Sequence, residues 1–368
     1  MAKNQTIVIK IGTQTLTTKD GTLDHAIMQT LVDQIAQLKK QGHVVVLVTS
    51  GAVGTGRALA AKRPLAKTND PINEKQILAS IGQAHLIQVY QQMLDKHALT
   101  AAQILLTKQD FITKHHYRNI LHLFHSLRQQ SHILPIVNEN DSVAIQELMF
   151  TDNDELAGLL AAQLAADRLM ILTNVAGVYD RLPSEPGAMV IPVIDPQGKK
   201  GAPFPSVSTE KSMAGRGGML SKINTARRMS GLGITMHIAA GHEKNIVTRL
   251  MENEELGTTI LPQKKISAVK RWLATAPEQQ DESTARVVAN HCLAEQLKDP
   301  ARVMSILPVG LTAFKGQFAK NDRVQVVDEK GMILAVGLAR YDDMTLQERL
   351  GQQKQPVFLH TDALYRTM

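Results

Sequence analysis

The sequence has one cysteine, Cys292, in 368 residues. That excludes an internal disulfide and any zinc site built on several thiolates. Aromatic residues make up only 4% of the chain, so a core must be built from Ala, Val, Ile, Leu and the 15 Met. No stretch approaches the roughly 20 apolar residues that span a bilayer. The opening, Met1 to Lys10, lacks the basic segment followed by a long apolar one that marks a secretory signal. The expectation is a cytoplasmic protein with no membrane contact. There is no internal repeat and no low-complexity tract.

What is present fits a globular protein. Hydrophobic residues are 43% of the chain and charged residues 20%, which argues against disorder. The length exceeds one ordinary hydrophobic core, so one large and one smaller domain are expected. The formal charge is +7. That charge suits a polyanion, nucleotide or RNA, and equally suits a basic protein with no such partner.

Up to about residue 260, short apolar runs alternate with helical patterns. The runs are Thr6–Ile11, Val44–Val48, Ala102–Leu106, Ile133–Val137, Leu169–Leu172 and Thr235–Ala239. They are nearly continuous rather than alternating, as strands buried on both faces of a parallel sheet are. Helices are expected over Ile27–Lys40, Glu74–His97, Tyr117–Gln130, Asp154–Ala166 and Gly218–Met229. The order predicts an α/β fold, a three-layer αβα sandwich on a mainly parallel sheet. Pro277 to Ser283 reads as part of a linker. A short helix over Thr284–Gln296 is expected next, then β-type segments at Ser305–Gly310, Arg323–Val327 and Ile333–Arg340. The boundaries are 1–262 for the large domain, 263–283 for the linker and 284–368 for a small, mostly β domain.

Polar clusters follow several of the strands, where ligands of open α/β sheets bind. Lys10 precedes Ile11-Gly12-Thr13. It reads either as a cation for a phosphate or as a surface lysine snorkelling at the sheet edge. Thr49 to Gly56 reads as an amide nest for an anion or as an ordinary turn. Asn138-Glu139-Asn140-Asp141 and Asp152-Asn153-Asp154 are dense in amides and carboxylates. One or two of them cap a helix, which leaves the others to face solvent or a ligand, and an amino group or a magnesium-bound phosphate suits them. Gly215 to Lys222 is a glycine-rich loop opening a helix, with Lys222 set against the positive helix end. An anion between them makes sense of that lysine. His115, His116, His122 and His125 lack a metal-binding pattern and read as a solvated helix face. Lys264-Lys265 and Lys270-Arg271 read as a solvated patch, with RNA contact as the other reading.

Taken in chain order, Lys10-Ile11-Gly12-Thr13, Thr49-Ser50-Gly51-Ala52, Asn138 to Asp141, Asp152 to Asp154 and Gly217-Gly218-Met219 with Lys222 resemble the amino acid kinase family. The closest likeness is to its branch that phosphorylates glutamate at the start of proline synthesis. Lys270-Arg271-Trp272 fits that branch, and the stretch from about Cys292 to Arg340 resembles a PUA domain. The resemblance implies ATP with Mg2+ as phosphoryl donor and L-glutamate as acceptor. It implies a homo-oligomer (dimer or tetramer), proline as feedback inhibitor and glutamyl phosphate reductase as pathway partner. Lys10 and Lys222 would contact the ATP phosphates, with Asp154 holding both lysines. Gly12, Thr173, Asn174 and the loop Arg216, Gly217, Gly218, Met219, Leu220, Ser221 and Lys222 would surround the nucleotide. Ser50, Gly51, Ala52, Asn138, Asp141, Asp152 and Asn153 would surround glutamate. No residue of the chain is expected to bind a metal directly. Arg216 stands where the family has threonine, Asn174 where it often has aspartate, and Gln14 where serine is common; all three bear on nucleotide contact. Two other outcomes are open: a different acceptor within the family (aspartate, acetylglutamate or UMP), or an RNA-binding protein working through its PUA-like domain.

Overall fold

A computed structural model describes residues 4–62, 70–112, 114–143, 150, 152–205, 218–263, 266–274, 285–299 and 302–367. The chain divides into two compact units, Met1–Lys265 and Ile266–Met368.

In the first unit the apolar runs become strands. These are β1 (Thr6–Ile11), β2 (Val44–Val48), β3 (Thr100–Leu106), β4 (Ile133–Glu139), β5 (Arg168–Thr173), β6 (Val193–Ile194), β7 (Thr235–Ala240) and β8 (Thr258–Ile260). They form one sheet in the order β3-β4-β2-β1-β5-β7-β8-β6. From β3 to β7 every pairing is parallel, and β8 runs antiparallel to β7. The helices are α1 (Thr13–Leu16), α2 (His25–Lys40), α3 (Ala52–Lys62), α4 (Pro71–Asp95), α5 (Gln109–Ile112), α6 (Lys114–Arg128), α7 (Asn153–Gln163), α8 (Gly218–Gly231) and α9 (Ile246–Met251). Ile7, Ile9 and Ile11 of β1 share a core with Met28 and Ile35 of α2, Leu86 and Tyr90 of α4 and Ile246 of α9. The intervening Val8 is fully buried outside that core, and α7 packs on β1 and β5. Strand residues alternate between faces, so both faces of the sheet are covered and the fold is the three-layer αβα sandwich.

Two boundaries in this unit differ from the sequence reading. β4 runs on to Glu139, so Asn138 and Glu139 belong to the strand. The turn after β2 is only Thr49 to Gly51, because Ala52 already starts α3. Gly54 and Gly56 are therefore helical. At Gly56 the reason for glycine is packing: a Cβ there would lie 1.9 Å from the Leu78 carbonyl oxygen, and one on Gly82 would lie 1.8 Å from that of Ala52. The two helices touch backbone to backbone, which only glycine permits.

The second unit holds a five-stranded sheet in the order β10-β9-β11-β12-β13. Its strands are β9 (Arg286–Ala289), β10 (Leu311–Lys315), β11 (Arg323–Val327), β12 (Ile333–Ala339) and β13 (Leu359–Arg366). Helices α10 (Ala268–Ala274), α11 (His291–Lys298) and α12 (Asp343–Arg349) accompany it. Val287, Val326, Leu334, Leu346 and Phe358 are fully buried in its own core. The helix expected over Thr284–Gln296 is corrected: Arg286-Val287-Val288-Ala289 is a strand, and α11 starts only after Asn290, whose side chain accepts from the Leu293 amide at 2.9 Å. Branched residues favour the pleated strand, and the asparagine supplies the helix start. At 305–310 the expected strand shrinks to one bridge at Ile306 and a short turn over Pro308–Gly310. Proline has no amide hydrogen for a ladder. The residues from Pro277 to Ser283, and Lys264-Lys265, lie outside the described residues.

Candidate active site

The carboxyl ends of β1, β2, β4 and β5 lie side by side along one edge of the sheet, with β1 at the centre. Alternation puts Lys10 on the Val8 face of β1, the face covered by α7. Lys10 is only 6% exposed, which removes the snorkelling reading. Its Nζ lies 2.6 Å from Oδ1 of Asp154, and Nζ of Lys222 lies 2.8 Å from Oδ2 of the same carboxylate. Asp154 is fully buried. Burial opposes its ionisation, but the two ammonium groups outweigh that, and its carboxyl is held below the usual carboxylate range. Lys222 also donates to the Gly218 carbonyl at 3.2 Å. Among the described residues, the anion that pairs with this lysine is thus Asp154.

Close helix packing sets this geometry. A Cβ on Gly158 of α7 would lie 2.8 Å from Cγ2 of Thr225 on α8. One turn toward the amino end of each helix, Asp154 meets Lys222. Gly158→Ala pushes the two helices apart there. We expect a loss of about 1–3 kcal/mol in unfolding free energy, as overpacked sites show, together with reduced activity of the folded variant. Urea unfolding followed by an activity assay checks both, and an unchanged midpoint would contradict the packing argument.

A second cluster lies at the ends of β2 and β4. Nδ2 of Asn153 donates to the Thr49 carbonyl at 2.7 Å, and contacts Oγ of Ser50 and Oδ1 of Asn138 at 2.9 Å each. Asn138 in turn donates to Oε1 of Gln83 at 2.8 Å. Thr49 Oγ1 and the Tyr90 hydroxyl are 2.9 Å apart, and burial pushes the Tyr90 phenol far up. Asp152 is the cap of α7: its Oδ1 accepts from the amides of Asp154 and Glu155 at 3.0 and 3.1 Å. Burial first, and then the Asp154 charge, raise the Asp152 carboxyl, while a hydrogen bond with Ser221 works against them. Asp141 pairs with Nζ of Lys75 at 2.9 Å. Gly51 turns the chain at a φ of 97°, and Ala52 follows as the first residue of α3. On the other side of β1, Gly12 donates to the Leu172 carbonyl at 3.0 Å, next to buried Thr173, whose Oγ1 lies 3.3 Å from Oδ1 of Asn174. Met219, Leu220 and Ser221 lie in the first turns of α8, which opens at Gly218. Arg216 and Gly217 lie outside the described residues.

The structure therefore brings together Lys10, Asp154 and Lys222 as one group, and Ser50, Asn138 and Asn153 as another. The two are joined by the succession Asp152-Asn153-Asp154. Gln83, Tyr90, Lys75 and Lys108 were missed by the sequence reading. Lys108 is buried and pairs with Glu155 at 3.1 Å. Gln83 and Tyr90 share a signal, a polar group on an otherwise buried face: Gln83 sits among Leu78, Ala79, Gly82 and Leu86 of α4. Among the described residues, no group of three or more His, Cys, Asp or Glu is placed to hold a metal ion. Among them, too, no helix is long and apolar enough to cross a membrane.

Comparison with known proteins agrees with this geometry. Residues 5–240 match the model of the amino acid kinase family, and residues 286–355 match that of the PUA domain. A glutamate 5-kinase of Chlorobaculum tepidum is 40% identical over 359 residues, covering 98% of this chain and 96% of that protein. One from Bacteroides thetaiotaomicron is 37% identical over 362 residues, covering 98% of each. Among solved structures, the carbamate kinase from Giardia lamblia bound to AMP-PNP superposes with a TM-score of 0.52 at 18% identity, covering 72% of this chain and all of that one; this likeness concerns the fold. With its family match over most of the first unit and relatives of this similarity along nearly its whole length, the chain belongs to the amino acid kinase family.

Proposed function

We propose that the protein transfers the γ-phosphoryl group of ATP to the γ-carboxylate of L-glutamate, giving glutamyl 5-phosphate and ADP. The observation that carries this reading is the shared carboxylate: Lys10 and Lys222 sit on the two oxygens of Asp154. That places two cations at the sheet edge, beside a hydrogen-bonded cluster suited to a small polar acceptor.

The chemistry asks little else of the protein. A glutamate carboxylate has a pKa of about 4.3 and is ionised at neutral pH, so no general base is required. The difficulty is an anion approaching a polyphosphate. A carboxylate oxygen attacks the γ-phosphorus while the bond to the bridging oxygen breaks, and ADP departs with the electron pair. Lys10 and Lys222 stabilise the charge that develops on the transferred group and on the bridging oxygen. Asp154 positions both ammonium groups. The described carboxylates here are already engaged by lysines or amides. Mg2+ would therefore enter with ATP rather than on these carboxylates, and would supply further neutralisation of phosphate charge.

Recognition of glutamate rests on Asp141, Asn153 and Ser50. The Lys75 contact shows that Asp141 accepts an ammonium group at 2.9 Å. Lys75 is 40% exposed and reaches in from the surface, so the α-ammonium of glutamate replaces it with a group of the same charge. A blocked amino group would leave that carboxylate without a cation, and such analogues are rejected strongly. The proposal carries with it a homo-oligomer, proline as a feedback ligand and a reductase that consumes the labile acyl phosphate.

The test is ADP release from ATP and Mg2+ with L-glutamate, L-aspartate, N-acetyl-L-glutamate or UMP, with hydroxylamine present. Glutamate alone is expected to support turnover, with hydroxamate formed. Turnover with another acceptor, or none with glutamate, would overturn the substrate assignment.

A further inference from the structure

A cavity lies at the opposite edge of the same sheet, where β1, β2 and β4 begin. It is a half-open cleft of about 390 Å³ between those strand starts and α6. Its apolar lining comes from Val44, Val46 and Ile133 of the strands and Leu121 and Leu127 of α6. Its titratable lining is of one sign. Lys39 comes from the last turn of α2, His43 directly precedes β2, and His122, His125 and Arg128 lie on α6. The last three follow at three-residue spacing, which places them on one helix face. Among the described residues that line the cleft there is no carboxylate. Asp167, which accepts from the Thr6 amide at 3.0 Å, is not part of the wall.

Several features suit a ligand. His43 Nδ1 accepts from the Gln5 amide at 3.2 Å, so the proton of the neutral ring is on Nε2. Burial lowers the pKa of Lys39, as it does for an ammonium held against apolar surface without a paired anion. The catalytic reading gives α6 no role, and its histidines show no metal-binding arrangement among the described residues. An apolar slot with a few convergent groups of one charge is the usual form of a small-molecule site.

The geometry points to a binding site for a small amphipathic carboxylate in this cleft, its apolar body on the strand starts and α6, its anionic head among Lys39, His43 and Arg128. The site is separate from the kinase centre, which occupies the carboxyl ends of the same strands. It does not depend on which acceptor the kinase uses.

Octanoate, below its micelle concentration, is the probe, and isothermal titration of the full chain is the measurement. Saturable binding is expected, with octan-1-ol at least about tenfold weaker, because the alcohol lacks the charge. Arg128→Glu, at an exposed position in the last turn of α6, is expected to weaken octanoate at least about tenfold and leave basal ADP release unchanged. Leu127→Trp, which fills the slot, is expected to abolish binding of both probes. No octanoate binding by the wild-type chain would overturn the proposal. So would equal affinity for acid and alcohol, or an Arg128→Glu variant that binds octanoate normally. Sedimentation with phosphatidylglycerol vesicles without binding of free octanoate would assign the basic face to a membrane instead.

Discussion

Lys222→Ala lowers the turnover number by about a hundred- to a thousandfold, equivalent to about 2.7–4 kcal/mol of transition-state stabilisation, while the KM for glutamate changes by less than about threefold. The reason lies in where the charge is. Lys222 reaches the Asp154 carboxylate from the start of α8, and no contact joins it to the Ser50–Asn138–Asn153 cluster assigned to glutamate. Removing the ammonium should leave acceptor binding intact and remove one of the two cations that the proposed mechanism sets against the transferred phosphoryl group. The fold should survive, because Asp154 keeps Lys10 at 2.6 Å. Steady-state kinetics with glutamate varied at saturating ATP, with circular dichroism as the fold control, decide the matter. A variant with turnover within about threefold of wild type would remove Lys222 from the chemistry. A large rise in the glutamate KM with normal turnover would move it to the acceptor side.

Much of this site was legible because the strands are short, continuous and apolar. Their ends are marked by the first polar residues, so Lys10, Ser50, Asn138 and Thr173 could be placed on one edge before any coordinates. The division of labour within Asp152-Asn153-Asp154 was not legible. Three adjacent polar residues at a helix start look interchangeable in sequence. In the fold the first caps α7, the second ties β2 to β4, and the third faces two lysines from a fully buried position. That outcome depends on a helical turn rotating each side chain by about 100°, so neighbours point to different partners. Gln83 was hidden for the opposite reason: it reaches Asn138 across 55 residues of sequence, and only the fold makes that contact. Gly56 reads as part of a turn, yet its reason, like that of Gly82 within the expected helix, is contact between two helices. In the second unit, the four-residue strand Arg286–Ala289 abuts a helix directly, and so short a segment merges into the helical pattern that follows.

Asp154→Asn should damage stability and activity together, which separates it from the lysine variant. The substitution keeps the side-chain volume and leaves the Asp152 cap in place. It also leaves two nearly buried lysine side chains, 8% and 11% exposed, without the carboxylate that joins them. Breaking a buried ionic group by removing the shared partner costs about 3–5 kcal/mol. The urea midpoint should fall accordingly, and turnover should fall at least about tenfold as the lysines lose their common anchor. The pH dependence has a definite sign. The Asp154 carboxyl is held below its ordinary value of 3.8, so its contribution is complete at neutral pH and is lost as acid protonates it in the folded state. The stability gap between wild type and variant should therefore be flat at neutral pH and close only as the pH falls below about 3.8. ATP supplies the missing negative charge, so saturating nucleotide should raise the midpoint of the variant more than that of wild type. A variant that unfolds at the wild-type midpoint, with or without ATP, would show that the two lysines do not need Asp154. The triphosphate rather than the shared carboxylate would then set the positions of Lys10 and Lys222.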